Sequence, residues 1–214
     1  MTRPTLEVID VTVGYAGKQA LLTDWSAQFW PGEVVAITGP SGRGKSTLLY
    51  VLGLMLRMRS GSVKVEGLDT SPLGEGARAS LRAHRYGFVF QDAVLDASRT
   101  IMENVLESSL YRNGDHAADL VRSRVLLERF GVNVPAEYRP GQVSGGQAQR
   151  IALCRALLGD PPILLADEPT GNLDHQSART VLDAFREHAA SGATVIVVTH
   201  DEAVVRTASR RIAL

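Results

Sequence analysis

Val34-Val35-Ala36-Ile37-Thr38-Gly39-Pro40-Ser41-Gly42-Arg43-Gly44-Lys45-Ser46-Thr47 runs from an apolar stretch straight into a glycine-rich turn. The short aliphatic run Val34–Ile37 suits a parallel strand buried on both faces. Gly39, Gly42 and Gly44 let the backbone curl where side chains would obstruct it. The curl points successive N–H groups inward, and a helix starting near Lys45 adds its positive N-terminal end. Lys45 supplies a point charge for β- and γ-phosphates, and the Ser46 hydroxyl is placed to ligate Mg²⁺. The apolar residues that follow predict a helix over Thr47–Leu56.

A second apolar run, Ile163–Ala166, ends in Asp167-Glu168. Two carboxylates at the end of a buried strand are costly unless something cationic sits beside them. Asp167 is therefore expected to hold Mg²⁺, and Glu168 to polarise an attacking water. A third element is Val143-Ser144-Gly145-Gly146-Gln147, in front of the helical run Gln147–Leu158. Small residues at the mouth of a helix N-terminus make a good anion site. With one phosphate site already at Lys45, a second makes sense if it serves another molecule's nucleotide.

Taken together and in this order, the motifs resemble those of the ATP-binding-cassette (ABC) transporter ATPases, from about Leu6 to the C-terminus. Tyr15 matches the aromatic that stacks on adenine. Gly39, Pro40, Ser41, Gly42, Arg43, Gly44, Lys45, Ser46 and Thr47 match the Walker A loop. Gln91, in Phe88-Val89-Phe90-Gln91-Asp92, matches the Q-loop glutamine, which links the metal site to a permease. Ser144, Gly145, Gly146 and Gln147 match the signature, with Val143 where the family usually has Leu. Asp167 and Glu168 match Walker B and the catalytic glutamate. Asp174, in Gly171-Asn172-Leu173-Asp174, matches the D-loop, and His200, in Val197-Val198-Thr199-His200-Asp201, the switch histidine. Standing alone, Tyr15, Gln91 and His200 would carry no such meaning; order and spacing give it to them.

The resemblance implies an α/β P-loop NTPase fold: a RecA-like parallel-sheet core with an antiparallel β subdomain and a small α-helical subdomain. It implies one domain over 1–214. Residues of about 1–90 and 141–214 would form the nucleotide-binding core and β subdomain, and about 95–140 the helical subdomain. It also implies ATP and Mg²⁺ as cofactors and a head-to-tail dimer. In that dimer each ATP lies between Walker A of one subunit and the signature of the other.

Composition agrees with a compact enzyme. With 214 residues, 44% of them hydrophobic, and a formal net charge of zero, one domain with a lobe is expected and a nucleic-acid binder is not. No apolar run approaches the roughly 20 residues that span a bilayer. Met1-Thr2-Arg3-Pro4 lacks an apolar signal core. The single cysteine, Cys154, reads as a small core residue. The expected location is thus the cytoplasmic face of the membrane, reached through a permease. His84, His116, His175 and His188 show no ligand spacing and read as surface residues.

Strand-like pieces at Leu6–Val13, Ala20–Phe29, Glu33–Ile37 and Ser62–Glu66 are separated by Gly14, Gly17, Pro31-Gly32 and Gly61. About Asp96–Tyr138 is helix-rich. Strand Ile163–Ala166, helix Ser177–Ala190, strand Thr194–Thr199 and helix Glu202–Ala208 then alternate, which implies a parallel sheet with helices on its faces. The step of 53 positions from Gln91 to Ser144 admits a small helical lobe but no long coiled coil. With Arg210-Arg211-Ile212-Ala213-Leu214 read as the end, a regulatory domain of the importer type is not expected.

Asp167-Glu168-Pro169-Thr170-Gly171-Asn172-Leu173-Asp174 and Thr100-Ile101-Met102-Glu103-Asn104-Val105 resemble the subfamily of the macrolide exporter (MacB), the lipoprotein-release ATPase (LolD) and the cell-division ATPase (FtsE). The implied partners are a second ATPase subunit, expected to be identical, and a four-helix permease. The coupling helix of that permease would dock on about Gln91–Leu110. An exporter ATPase and a cell-division-type signalling ATPase both remain open, with a soluble cassette acting on nucleic acid or ribosomes the third class.

Overall fold

The computed structural model describes residues 3–14, 17, 19–112, 114–171 and 173–214. In chain order its first half contains β1 (Leu6–Val13), β2 (Leu22–Phe29), β3 (Val34–Thr38), α1 (Lys45–Leu52), β4 (Ser60–Val65), β5 (Leu68–Asp69), α2 (Glu75–Arg85) and β6 (Tyr86–Val89). Its second half contains α3 (Ile101–Leu106), α4 (His116–Arg129), α5 (Gly145–Leu157), β7 (Ile163–Asp167), α6 (His175–Ala190), β8 (Thr194–Val198), α7 (Glu202–Thr207) and β9 (Arg210–Ala213).

Five strands form a parallel sheet in the order β6-β7-β8-β3-β9. The other four form an antiparallel sheet in the order β2-β1-β4-β5. Every residue of β3, β7 and β8 is buried. Alternate side chains go to opposite faces, as the pleat requires. β7 sends Ile163 and Leu165 into one core with α1 and β1, and Leu164 and Ala166 into the other with α5 and α6. Burial on both faces is why these strands read as continuous apolar runs rather than as alternating ones. α3 and α4 pack on α5 through Ile101, Val105, Leu126 and Leu127. The start of α3 is a capping box: Thr100 accepts from the Glu103 N–H, and the Glu103 carboxylate accepts from the Thr100 N–H. Among the described residues, no helix is long and apolar enough to cross a membrane.

The structure differs from the sequence expectations in particular places. α1 ends at Leu52 rather than Leu56, because the chain reverses toward β4 with Leu54 in the left-handed region (φ 58°). The Leu54 carbonyl freed by that turn accepts from Arg78 and Arg82, each at 2.8 Å. α2 was not anticipated, since its pattern is carried by arginines and alanines: its only buried residue is Arg78, and Leu81 is its one large apolar side chain, packed partly buried against the core. β6 and β9 were likewise unassigned; each is four residues long, too short for a pattern. His188 is not a surface residue. It is 9% exposed, and its Nε2–H donates to the Pro161 carbonyl at 2.8 Å.

Burial pushes His188 below the ordinary histidine value, against the opposing pull of the Pro161 carbonyl and Asp160. The sign follows from linkage. Below about pH 6.5 the unfolded chain takes up a proton that the folded chain refuses, so stability falls as pH falls through that value. His188→Gln keeps a donor for Pro161 but does not titrate. Its urea midpoint should drop less than the wild type's between pH 7.5 and 5.5. Equal losses in the two proteins would remove this assignment.

Candidate functional site

Four strands that lie side by side, β6, β7, β8 and β3, end at one edge of the parallel sheet. The loops leaving their carboxyl ends carry Gln91, Asp167-Glu168, His200 and Gly39–Lys45 in turn. A crevice at the carboxyl edge of such a sheet is where open α/β folds place ligands.

The glycine loop joins β3 to α1. Gly39 has φ 151°, and a Cβ there would lie 2.8 Å from the Leu214 carbonyl oxygen. Gly44 caps α1 in the left-handed region at φ 85°, where a side chain would be strained. Between them lie Pro40, Ser41, Gly42 and Arg43, in a turn. The Lys45 ammonium folds back on this loop and donates to the Gly39 and Pro40 carbonyls at 2.8 and 3.0 Å. Thr47 is buried in the first turn of α1.

Asp167 closes β7 and is 5% exposed. Its Oδ1 is buried with no hydrogen-bond partner. Burial pushes the Asp167 carboxyl up; a hydrogen bond from the Ser46 hydroxyl and the charge of Lys45 oppose this, while Glu168 adds to it. An orphaned carboxylate oxygen beside a hydroxyl is a donor set that a hard divalent cation accepts. Asp167 and Ser46 therefore fit a Mg²⁺ site. Gln91 is exposed, just beyond β6 at the same sheet edge.

Glu168 lies between β7 and β8. Its backbone is in the left-handed region at φ 44°, a conformation that costs a non-glycine residue on the order of 1–3 kcal/mol. The Glu168 N–H donates to the Val198 carbonyl at 2.9 Å, which holds that turn. Its Oε1 lies 2.7 Å from His200 Nδ1, and its Oε2 accepts from the Thr199 hydroxyl at 3.0 Å and from the His200 N–H at 3.4 Å. A carboxylate offers only acceptors, so Nδ1 carries the proton and Nε2 is left to face outward. The His200 side chain is 80% exposed while the Glu168 side chain is 15% exposed. One end of the pair is fixed in the protein and the other is open to a ligand.

Reading the sequence missed the residues that hold this pair. Thr199 is fully buried and also accepts from the Asp201 N–H at 2.9 Å; Asp201 in turn accepts from Thr170 at 3.1 Å and caps α7. The Gln149 side chain, 3% exposed on α5, donates to the Phe90 carbonyl at 2.8 Å and so fixes the residue before Gln91. Thr199 was visible only as the neighbour of His200, and Gln149 had no signal of its own.

Ser144 caps α5. Its hydroxyl accepts from the Gln147 N–H at 3.3 Å, and the Gln147 side chain accepts from the Ser144 N–H at 2.9 Å. Gly145 has no atom within 4 Å of where a Cβ would stand, and its φ is ordinary. Gly146 is nearly as open, meeting Leu173 at 3.7 Å. Asp174 caps α6 through the Ser177 N–H and hydroxyl at 2.9 and 2.8 Å, and these bonds lower its carboxyl below the usual range. Arg150 donates to the Ser177 hydroxyl, tying α5 to that cap. Among the described residues, no hydrogen bond or ion pair joins 144–147 to 39–47. The sheet edge thus gathers the glycine loop, Asp167, Glu168 and His200, while the mouth of α5 stands apart. Tyr15 lies outside the described residues.

A family profile described as ABC transporter matches residues 22–171. The macrolide export ATP-binding/permease protein MacB 1/2 of Paracoccus denitrificans is 43% identical over 194 residues, which cover 91% of this chain and 29% of that protein. The probable syringafactin export ATP-binding/permease protein SyfD of Pseudomonas syringae pv. syringae is 42% identical over 213 residues, covering 98% of this chain and 33% of that protein. The chain thus spans about a third of the length of the curated relatives it matches. Among solved structures, the dimeric structure of MJ0796, a bacterial ABC transporter cassette, superposes with a TM-score of 0.89 at 33% identity, covering 98% of this chain and 94% of that one. A second MJ0796 dimer, a post-hydrolysis state bound to ADP and Pi, has the same TM-score, identity and coverage.

The cap at α5 makes its own prediction. Ser144→Ala leaves the Gln147 N–H without its acceptor and should cost about 1 kcal/mol in urea unfolding of the isolated chain, with the fold intact. No loss of stability would show that the hydroxyl is not capping the helix.

Proposed function

The chain belongs to the ABC transporter family, and we propose that it binds and hydrolyses ATP with Mg²⁺ to energise a membrane permease, in an exporter of the MacB type. The observation that carries the reading is the Glu168–His200 pair, clamped by Thr199 one residue beyond the orphaned Asp167 Oδ1. The charged groups that phosphoryl transfer needs stand at one sheet edge before any ligand arrives.

The residues divide the work. Gly39–Thr47 cradle the phosphates with loop N–H groups, and Lys45 leaves its two carbonyls to meet the β- and γ-phosphates. Tyr15 stacks on the adenine. Ser46, Asp167 and Gln91 would hold Mg²⁺, which would neutralise charge on the phosphate oxygens. Glu168 orients water and accepts its proton, while His200, its Nδ1–H fixed by Glu168, donates to the γ-phosphate through Nε2–H when the ring is protonated. Ser144, Gly145, Gly146 and Gln147 receive the nucleotide of a second subunit, next to Asp174.

That last step rests on Gly145. Its φ needs no glycine and open space surrounds it, so nothing within one subunit requires the residue. A close approach from outside does. A permease segment would enter a cleft of about 530 Å³ lined by Met55, Phe88, Phe90, Val94, Tyr111 and Arg155. On this reading the chain works at the cytoplasmic face of the membrane, in contact with it through the permease.

Two variants test the reading. Glu168→Gln should bind ATP as the wild type does and lose turnover by about 10²–10⁴-fold, accumulating a closed dimer. Unchanged turnover would overturn the role of Glu168. Gly145→Ala should leave the stability of the isolated chain within about 1 kcal/mol, since nothing clashes, yet lower turnover at least tenfold and weaken the ATP-dependent dimer. Full activity in that variant would exclude the mouth of α5 as a partner's nucleotide site.

A further inference from the structure

A cavity of about 210 Å³ opens between the end of α1, the start of β4 and the residues leading into α2. It shares no residue with the nucleotide site. Its wall carries Arg57, Arg59 and Arg78 together with Ser60, Thr70 and Ser71, and no Asp or Glu. Arg78 is only 5% exposed. Its Nη2 donates to the Leu54 and Leu56 carbonyls at 2.8 and 3.1 Å. Its Nε is buried with no acceptor, and the Ser71 hydroxyl is buried with no partner. These are two of the five such side-chain atoms among the described residues; another is Asp167 Oδ1, at the metal site proposed above.

A guanidinium taken out of water is costly without a counter-charge. The nearby carboxylate of Glu75 is held by Arg82 at 2.6 Å and is not part of the wall. Burial, and next the like charge of Arg57, pull the Arg78 guanidinium below its ordinary value. Carbonyl capping accounts for Nη2 alone, and Arg82 already serves the Leu54 carbonyl at 2.8 Å. Capping gives no reason for Arg57 to line the same wall.

We propose that this cavity is a second anion site, taking a free oxyanion of the phosphate type: inorganic phosphate or the phosphate group of a small monoester. Guanidinium N–H groups match a tetrahedral oxyanion, and a serine hydroxyl adds a neutral donor. The volume falls below the roughly 300–1,000 Å³ of pockets for drug-sized ligands, so a whole nucleotide is excluded. Val51 and Leu54 in the wall belong to the end of α1 and the turn after it, and Lys45 begins that helix. A bound oxyanion braces the far end of the helix that presents the glycine loop.

The test uses the chain saturated with ADP, so that the glycine loop is filled. Crystals soaked in selenate should show anomalous selenium signal within hydrogen-bond reach of Arg57 and Arg78. Signal only elsewhere, or none, overturns the site. In calorimetric titration with inorganic phosphate, Arg57→Gln should bind at least tenfold more weakly than the wild type, while sodium chloride at equal ionic strength gives no heat of binding. Arg57 is exposed and holds a single loop carbonyl, so the variant should fold. Ser71→Ala reads the same site from another wall and should also weaken binding. Wild-type affinity in both variants overturns the proposal.

Discussion

The chemistry of this chain depends on the parallel ladder between β7 and β8. Asp167 pairs with Val198, and the ladder continues past the strand, with the Glu168 N–H on the Val198 carbonyl and the Thr199 N–H on the Ile37 carbonyl. Parallel strands in register end at one level, so the residue after each end faces its neighbour. Glu168 thereby meets Thr199 and His200, and the loop from β3 starts beside them. Side chains alternate along a strand, so a slip of one residue would turn Asp167 to the wrong face. Full burial of all three strands on both sides makes that slip costly, and this is how the apolar runs of the sequence set the geometry of the candidate site.

The site is held at a cost. Asp167 is buried with an oxygen unpaired, Glu168 sits at positive φ, and the Lys45 ammonium is spent on carbonyls of its own loop. Each feature is unfavourable, or merely neutral, in the chain alone. Each becomes favourable, on the proposed reading, when a phosphate group and a cation arrive. The rest of the fold supplies the stability that tolerates this, through two cores packed on opposite faces of one sheet. The Arg78 cavity follows the same physics with the sign of the charge reversed.

How much of this could be read beforehand depended on whether a residue's reason lies in its own neighbourhood. The apolar runs 34–37, 163–166 and 194–199 announced β3, β7 and β8, because burial on both faces needs nothing but aliphatic side chains. The glycine loop and Asp167-Glu168 were legible because phosphate and metal chemistry demand fixed residue types at fixed spacing. α2 was silent because Leu81 is its one large apolar side chain and the residue it buries fully is an arginine. β6 and β9 were silent because four residues carry no period. His188 misled because its partner, the Pro161 carbonyl, comes from 27 positions away. Thr199 and Gln149 were invisible as positioning groups for the same reason: a hydrogen bond across the fold leaves no trace in local composition.

α5 is where these long-range bonds converge. Its first turn is the capped Ser144–Gln147 mouth, and its second turn carries Gln149 and Arg150 side by side. Gln149 grips the Phe90 carbonyl at the end of β6, one residue before Gln91. Arg150 grips Ser177, and through it the Asp174 cap of α6. Consecutive residues on a helix point about 100° apart, so the two bonds brace α5 in different directions. The mouth of the helix therefore cannot swing without pulling on the loop that carries Gln91 and on the turn that carries Asp174. Whatever seats itself at Gly145 is felt, through the Gln149 and Arg150 side chains, at both edges of the candidate site.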